Sequence, residues 1–146
     1  MRDLEDAKTG REQVLKANQS FYQALQSKDW ATLENAWLHE DWVQFLHQDM
    51  PRATGWKDVV SALALLFRGV THLSISSGAP EARVVGDTAW VTVYEQITTD
   101  VEGDFVTTRE LSTNIFARSG GRWKMVHRHT SQVGDAQIVE ASRAVQ

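Results

Sequence analysis

Two histidines near the end of the chain, His127 and His129, sit where imidazoles could do acid–base work. They belong to the run Gly120-Gly121-Arg122-Trp123-Lys124-Met125-Val126-His127-Arg128-His129-Thr130-Ser131. A Gly-Gly turn launches a strand, and plain alternation puts Trp123, Met125, His127, His129 and Ser131 on one face. That face opens as apolar core and closes on two imidazoles and a hydroxyl, the pattern of a sheet running from packed interior to the polar floor of a cavity. The two rings stand about 7 Å apart along the strand at roughly 3.3 Å per residue.

Three kinds of chemistry suit that pair. One is general acid and base, because an unperturbed imidazole titrates near neutral pH. The second is metal ligation with His47 or a carboxylate as third ligand. The third is structural, with the rings bonded to Thr113 and Ser131 or buried across a dimer contact; counting back through the Gly-Gly turn sets Thr113 opposite His127. No carboxylate shares the strand face and the chain has no Cys, so neither a metal nor another cofactor is expected. His47 ends a candidate strand, at either a cavity mouth or the surface, with Asp41 and Asp49 nearby as alternative bases. His39 and His72 fall near element ends and are expected to be solvated. Glu95 and Glu110 lie mid-strand, where a charge must be paired, exposed or functional, and pairing or exposure is the expected fate. Six tryptophans suit either core packing or an aromatic-lined cavity. Trp37, Trp56, Trp90, Tyr94, Thr113 and Asn114 are the candidate ligand-lining residues, for a small apolar or aromatic molecule.

These side chains need a scaffold, and the first half of the chain reads as helices. Thr9 and Glu12 have capping-box spacing, followed by Val14, Ala17, Phe21, Ala24 and Leu25 on one stripe. Asp29 is placed to cap a short second helix carrying Leu33, Ala36 and Trp37. Trp42 to His47 reads as a strand, with Val43, Phe45 and His47 on one face. After Gly55 comes a third helix with Trp56, Val59, Val60, Leu63, Leu66 and Phe67 as its stripe, and Gly69 is placed to end it. From Thr71 onward the period falls to two, predicting strands at 72–77, 81–85, 88–98, 105–117 and 122–132. Their short loops require antiparallel neighbours. The odd-numbered face (Ala89, Val91, Val93, Leu111, Ile115, Trp123, Met125) is expected under the helices. The even-numbered face (Trp90, Tyr94, Val106, Phe116, Val126) is also apolar and calls for a partner chain.

With 146 residues, 42% hydrophobic and 23% charged, the chain suits one globular α+β domain, 1–146, with its core at about 11–133. A net charge of −4 without a basic stripe argues against nucleic acid or anionic membrane as partner. No apolar run approaches the roughly 20 residues of a membrane span. The charged start Met1-Arg2-Asp3-Leu4-Glu5-Asp6 is unlike a secretory signal, and a cytoplasmic location is expected. No nucleophile elbow or phosphate loop is present.

Several local sequences carry a resemblance. Phe21-Tyr22-Gln23-Ala24-Leu25 before Asp29-Trp30-Ala31-Thr32-Leu33, Val43 to His47 before Gly55-Trp56-Lys57-Asp58-Val59, Gly86-Asp87-Thr88-Ala89-Trp90-Val91, Thr113-Asn114-Ile115-Phe116, and Trp123 to Ser131 are similar to the SnoaL-like, polyketide-cyclase-like branch of the nuclear transport factor 2-like superfamily. The ending also resembles the association domain of calmodulin-dependent kinase. The resemblance implies a cone-shaped curved antiparallel sheet packed against three N-terminal helices, and a homodimer through the sheet face. For function it implies a small-molecule pocket, with or without acid–base isomerase or cyclase chemistry that uses no metal. The other implied class is a non-catalytic association module with a vestigial pocket. The kinase association domain has Arg at the positions of Thr130 and Asn114, so its way of holding acidic ligands does not carry over. A Pro common after the first-strand His is Gln48 here.

Overall fold

The computed structural model describes residues 2–68, 70–101 and 103–134, and the side chains of 8–68, 73–100 and 103–134. Gly69 as a helix end, the His72 side chain and everything from residue 135 on lie outside the described residues. Helix α1 spans Arg2–Ser27, α2 Trp30–Ala36 and α3 Trp56–Phe67. The strands are β1 Gln44–His47, β2 Ala53–Thr54, β3 Val70–Ser77, β4 Glu81–Val85, β5 Thr88–Val101, β6 Asp104–Ser119 and β7 Arg122–Gln132.

Helix α1 begins well before the expected cap at Thr9. No proline interrupts the segment between residue 2 and Thr9, so nothing in the backbone stops the helix there. The cap of α2 is as expected: Asp29 accepts from the Thr32 amide at 3.2 Å and the Thr32 hydroxyl at 2.7 Å. Val14, Phe21, Ala24 and Leu25 of α1 are buried with Leu33, Val59 and Leu63 against the sheet. The fold is the expected α+β cone, three helices against one curved, unclosed sheet.

The sheet runs β2-β1-β7-β6-β5-β3, with β4 also on β5. One junction is parallel: β1 lies beside β7, with Phe45 opposite Arg128 and His47 opposite Thr130. The sheet is therefore mixed, because β1 and β7 are joined through most of the chain and no short turn forces them antiparallel.

Register decides which side chains meet the helices, and it corrects the odd-face expectation. Across the β5–β6 hairpin Val91 pairs with Asn114 and Glu95 with Glu110, so odd positions on β5 share a face with even ones on β6. The inner face carries Ala89, Val91, Val93 and Glu95, then Glu110, Ser112, Asn114 and Phe116, all buried. Leu111 and Ile115 belong to the outer face with Trp90 and Tyr94. On β7 the pairing jumps from Met125 opposite Phe116 to His127 opposite Ile115, leaving Val126 as a bulge. Met125 and Val126 are buried in succession, and alternation resumes with the other parity. Arg128 and Thr130 turn inward; His127 and His129 turn outward.

Gly55 opens α3 at φ 91° and ψ 147°, a region nearly closed to residues with a Cβ. Its amide donates to the Val43 carbonyl at 2.8 Å, and an added Cβ would meet the Asp41 carbonyl oxygen at 3.3 Å. Gly55→Ala is expected to cost about 1–3 kcal/mol in urea denaturation. Gly86→Asn, at φ 61° in an open turn, should cost clearly less.

Candidate functional site

Arg128 is the charge that the bulge delivers to the interior. Its Nη1 donates to Glu95 Oε1 at 3.0 Å, Asn114 Oδ1 at 3.0 Å and Tyr22 Oη at 3.1 Å, while Nη2 donates to Glu95 Oε2 at 3.1 Å. Tyr22 donates its own hydroxyl to Glu95 Oε1. Asn114 Nδ2 donates to Asn18 Oδ1 at 2.9 Å and Tyr22 Oη at 3.0 Å. Arg128 is 4% exposed and Glu95 2%. Burial by itself would push the Glu95 carboxyl up; the guanidinium and its hydrogen bonds outweigh that and hold it below its usual range. Burial pushes the Tyr22 phenol up, and the neighbouring Glu95 adds to the rise against the opposing pull of Arg128. For Arg128 burial opposes the charge, but Glu95 more than restores it, so the guanidinium stays protonated.

A second chain of polar groups lies one step along the same face. Ser112 Oγ donates to Thr130 Oγ1 at 2.8 Å, and Thr130 donates to Glu110 Oε2 at 2.9 Å. Gln48 Nε2 reaches Glu110 Oε1 at 3.2 Å, and His47 Nε2 stands 3.9 Å from the same oxygen. His47 Nδ1 is 2.7 Å from the Gln48 carbonyl, which can only accept, so Nδ1 carries a proton and Nε2 is the free nitrogen of the neutral ring. Among the described residues, no group of three or more His, Asp or Glu side chains converges to hold a metal.

Of these groups His47, Gln48, Glu110 and Arg128 line a cavity of about 220 Å³. Its walls are apolar, from Leu25, Phe45, Leu63, Leu66, Phe67, Leu73, Ile75 and Ile97, and its polar lining is His47, Gln48, Thr99, Thr108, Glu110 and Arg128. A larger, more open groove of about 980 Å³ runs along α1 and shares Leu73 and Ile75 with the cavity. Of the buried charged groups neither Glu nor Arg lines that groove, so we place the candidate site in the smaller, more enclosed space.

A SnoaL-like domain model matches residues 14–135. The chain belongs to the SnoaL-like family. A candidate dehydratase of the nuclear transport factor 2-like family from Streptomyces avermitilis is 29% identical, with TM-score 0.80 over 87% of this chain and 99% of that one. A candidate calcium/calmodulin-dependent protein kinase II association domain from Thiobacillus denitrificans superposes with TM-score 0.71 at 21% identity, covering 81% and 93% of the two chains. The F-box protein SKIP8 of Arabidopsis thaliana is 27% identical over 128 residues, 86% of this chain and 53% of that protein. The chain thus spans about half the length of this curated relative.

Within this SnoaL-like cone, His47 is the candidate residue from the sequence that lines the cavity. Asn114 is buried in the Arg128 network rather than in the cavity wall. Trp37 is core, stacked edge-on to Phe45, and Trp56 packs against Trp37 and lies flat on His39 at 4.1 Å. Trp90, Tyr94, Thr113, His127 and His129 share the outer face, where Thr113 pairs with His129 and not, as expected, with His127. The bulge at Val126 turns the histidines outward and supplies one residue of the Thr113 offset; the other comes from the tight turn, where Ser119 pairs directly with Arg122. His127 is held below the usual imidazole range by partial burial and by its neighbour His129. Asp41 and Asp49 are exposed, and neither lines the cavity. Glu95 is ion-paired, as mid-strand burial demanded; Glu110 is buried on neutral partners and His47. The sequence reading passed over Tyr22, Gln48, Arg128 and Thr130. A signal existed in Arg128, a charge set between two histidines on a strand whose neighbours are apolar.

Removing half of the buried pair should expose its dependence. Glu95→Gln leaves Arg128 uncompensated and is expected to lose about 3–5 kcal/mol in urea denaturation. The Glu95 carboxyl lies below its ordinary 4.5 in the folded chain, so its contribution is complete above that value and fades as pH falls through the folded one. Stability of the Gln variant should accordingly fall less steeply than wild type as pH drops below 4.5.

Proposed function

We propose that this SnoaL-like protein binds a small, largely apolar molecule in the cone and moves a proton on it with His47. The observation that carries the reading is the His47–Glu110 pair in the lining of a largely apolar cavity. A neutral His47 takes a proton at Nε2 from carbon or oxygen of the bound molecule. The imidazolium then faces the Glu110 carboxylate, which stabilises it, while the Gln48 carbonyl fixes the ring through Nδ1. Return of that proton to a different atom of the ligand gives isomerisation or ring closure; delivery to a leaving hydroxyl gives loss of water. The similarity to a candidate dehydratase supports the last class. A panel of small enolisable and β-hydroxy ketones in D₂O, followed by proton NMR, tests it. Wild type should exchange or eliminate with at least one member, and His47→Ala should slow that about 10²–10⁴-fold. A panel in which nothing turns over faster than in buffer defeats the catalytic reading.

A second reading is carried by the outer face. Trp90 and Tyr94 are 38% and 41% exposed on a sheet surface that no described helix covers, beside Leu111 and Ile115. We infer that two chains associate through this face. Light scattering at micromolar concentration should report twice the 16.5 kDa chain mass. Trp90→Lys with Tyr94→Lys should return one chain mass at an unchanged melting temperature, and a monomeric wild type would remove this reading.

A further inference from the structure

The polar lining of the cavity holds acceptors in excess of donors, because the Arg128 guanidinium within it is already shared among Glu95, Asn114 and Tyr22. Glu95 and Glu110 are direct partners across the β5–β6 ladder, yet the guanidinium is given to Glu95 through both Nη atoms. Among the described residues the base within ion-pair reach of Glu110 is His47, whose Nε2 is itself an acceptor when the ring is neutral. Gln48 must turn its amide nitrogen towards the Glu110 carboxylate, because the reverse orientation would set two acceptors together. That leaves Gln48 Oε1 buried with no hydrogen-bond partner. Thr130 spends its proton on Glu110, and the Thr99 and Thr108 hydroxyls, which line the cavity, can donate or accept. A buried acceptor and a buried carboxylate without a guanidinium both gain from an incoming donor, and both oppose an incoming anion.

We propose that the ligand presents a hydrogen-bond donor, an alcohol or a protonated amine, to Gln48, Glu110 and His47, and that the cavity rejects carboxylates. This rests on the small-molecule reading above and narrows its ligand class. Four ring compounds of matched size separate the possibilities at neutral pH: toluene, benzyl alcohol, benzylamine and benzoate, each titrated against the full chain by amide NMR. Benzyl alcohol or benzylamine should bind at least tenfold more tightly than toluene, with shifts at Gln48 and Glu110, and benzoate should bind more weakly than toluene. Glu110→Gln should cancel any benzylamine advantage over toluene; the wild-type series stands on its own if that variant does not fold. Benzoate binding as tightly as the alcohol and the amine overturns the proposal while the pocket reading survives. So does toluene equalling them. Failure of all four to perturb cavity residues at millimolar concentration removes the pocket reading and this proposal with it.

Discussion

Two opposite charges, Arg128 and Glu95, lie side by side in the interior, and the arrangement of the cone follows from keeping them there. Taking both out of water is costly, and mutual attraction offsets that cost only with near-complete hydrogen bonding. The structure supplies it from three elements besides β7, which carries Arg128. Tyr22 and Asn18 come from α1, Glu95 from β5 and Asn114 from β6. The pair therefore ties the long helix to the middle of the sheet at a fixed depth. Apolar contacts from Phe21, Leu25 and Val14 fill the space around it, and hydrophobic burial supplies most of the driving force. What the ionic knot adds is position, since sliding α1 by one turn would pull the Tyr22 and Asn18 hydrogen bonds away from it.

That knot also sets the character of its neighbour. Two carboxylates meet across one rung of the β5–β6 ladder, and a single guanidinium is engaged by one of them. The division gives Glu95 a structural post and leaves Glu110 with hydroxyl, amide and imidazole partners, facing an apolar chamber. Low polarity around Glu110 strengthens whatever electrostatic contact it makes. The structural pair of Arg128 with Glu95 and the proposed proton-moving pair of His47 with Glu110 thus meet at one rung, held apart by where each carboxylate finds its complement.

The local layer of this organisation was legible in the chain. The second helix with its Asp29 cap, the third helix, the inward face of Val43, Phe45 and His47, and the turns between strands all follow from short-range patterns that no distant contact overrides. The resemblance supplied the cone. What stayed hidden depends on counting across pairs of strands. An odd–even rule cannot pass from Val91 to Asn114 unless the hairpin register is known, and it breaks again at Val126 because a bulge adds a residue without a pattern of its own. His127 and His129 drew attention as an acid–base pair for their type and spacing, while Arg128 between them had the inward post. Thr9 had the right neighbours for a cap, but nothing upstream stopped the helix. Glu110 and Gln48, far apart in sequence, meet through the parallel junction of β1 with β7, which local pattern does not encode.

The unpaired Val126 has a bearing on how such chains diversify. With it, one strand serves the interior with Trp123 and Met125, then with Arg128 and Thr130, and sends its imidazoles outside. Were Val126 instead paired into the ladder, uninterrupted alternation would exchange the two sets, histidines for arginine and threonine. Losing the residue would not do so, since His127 would then follow Met125 and still lie opposite Ile115. A one-residue slip of the ladder at this place would thus trade an ionic lining for an imidazole lining with no change in chain length. In a lineage built on this cone, chemistry can change hands through a shift of register that a comparison of residue types alone would pass over.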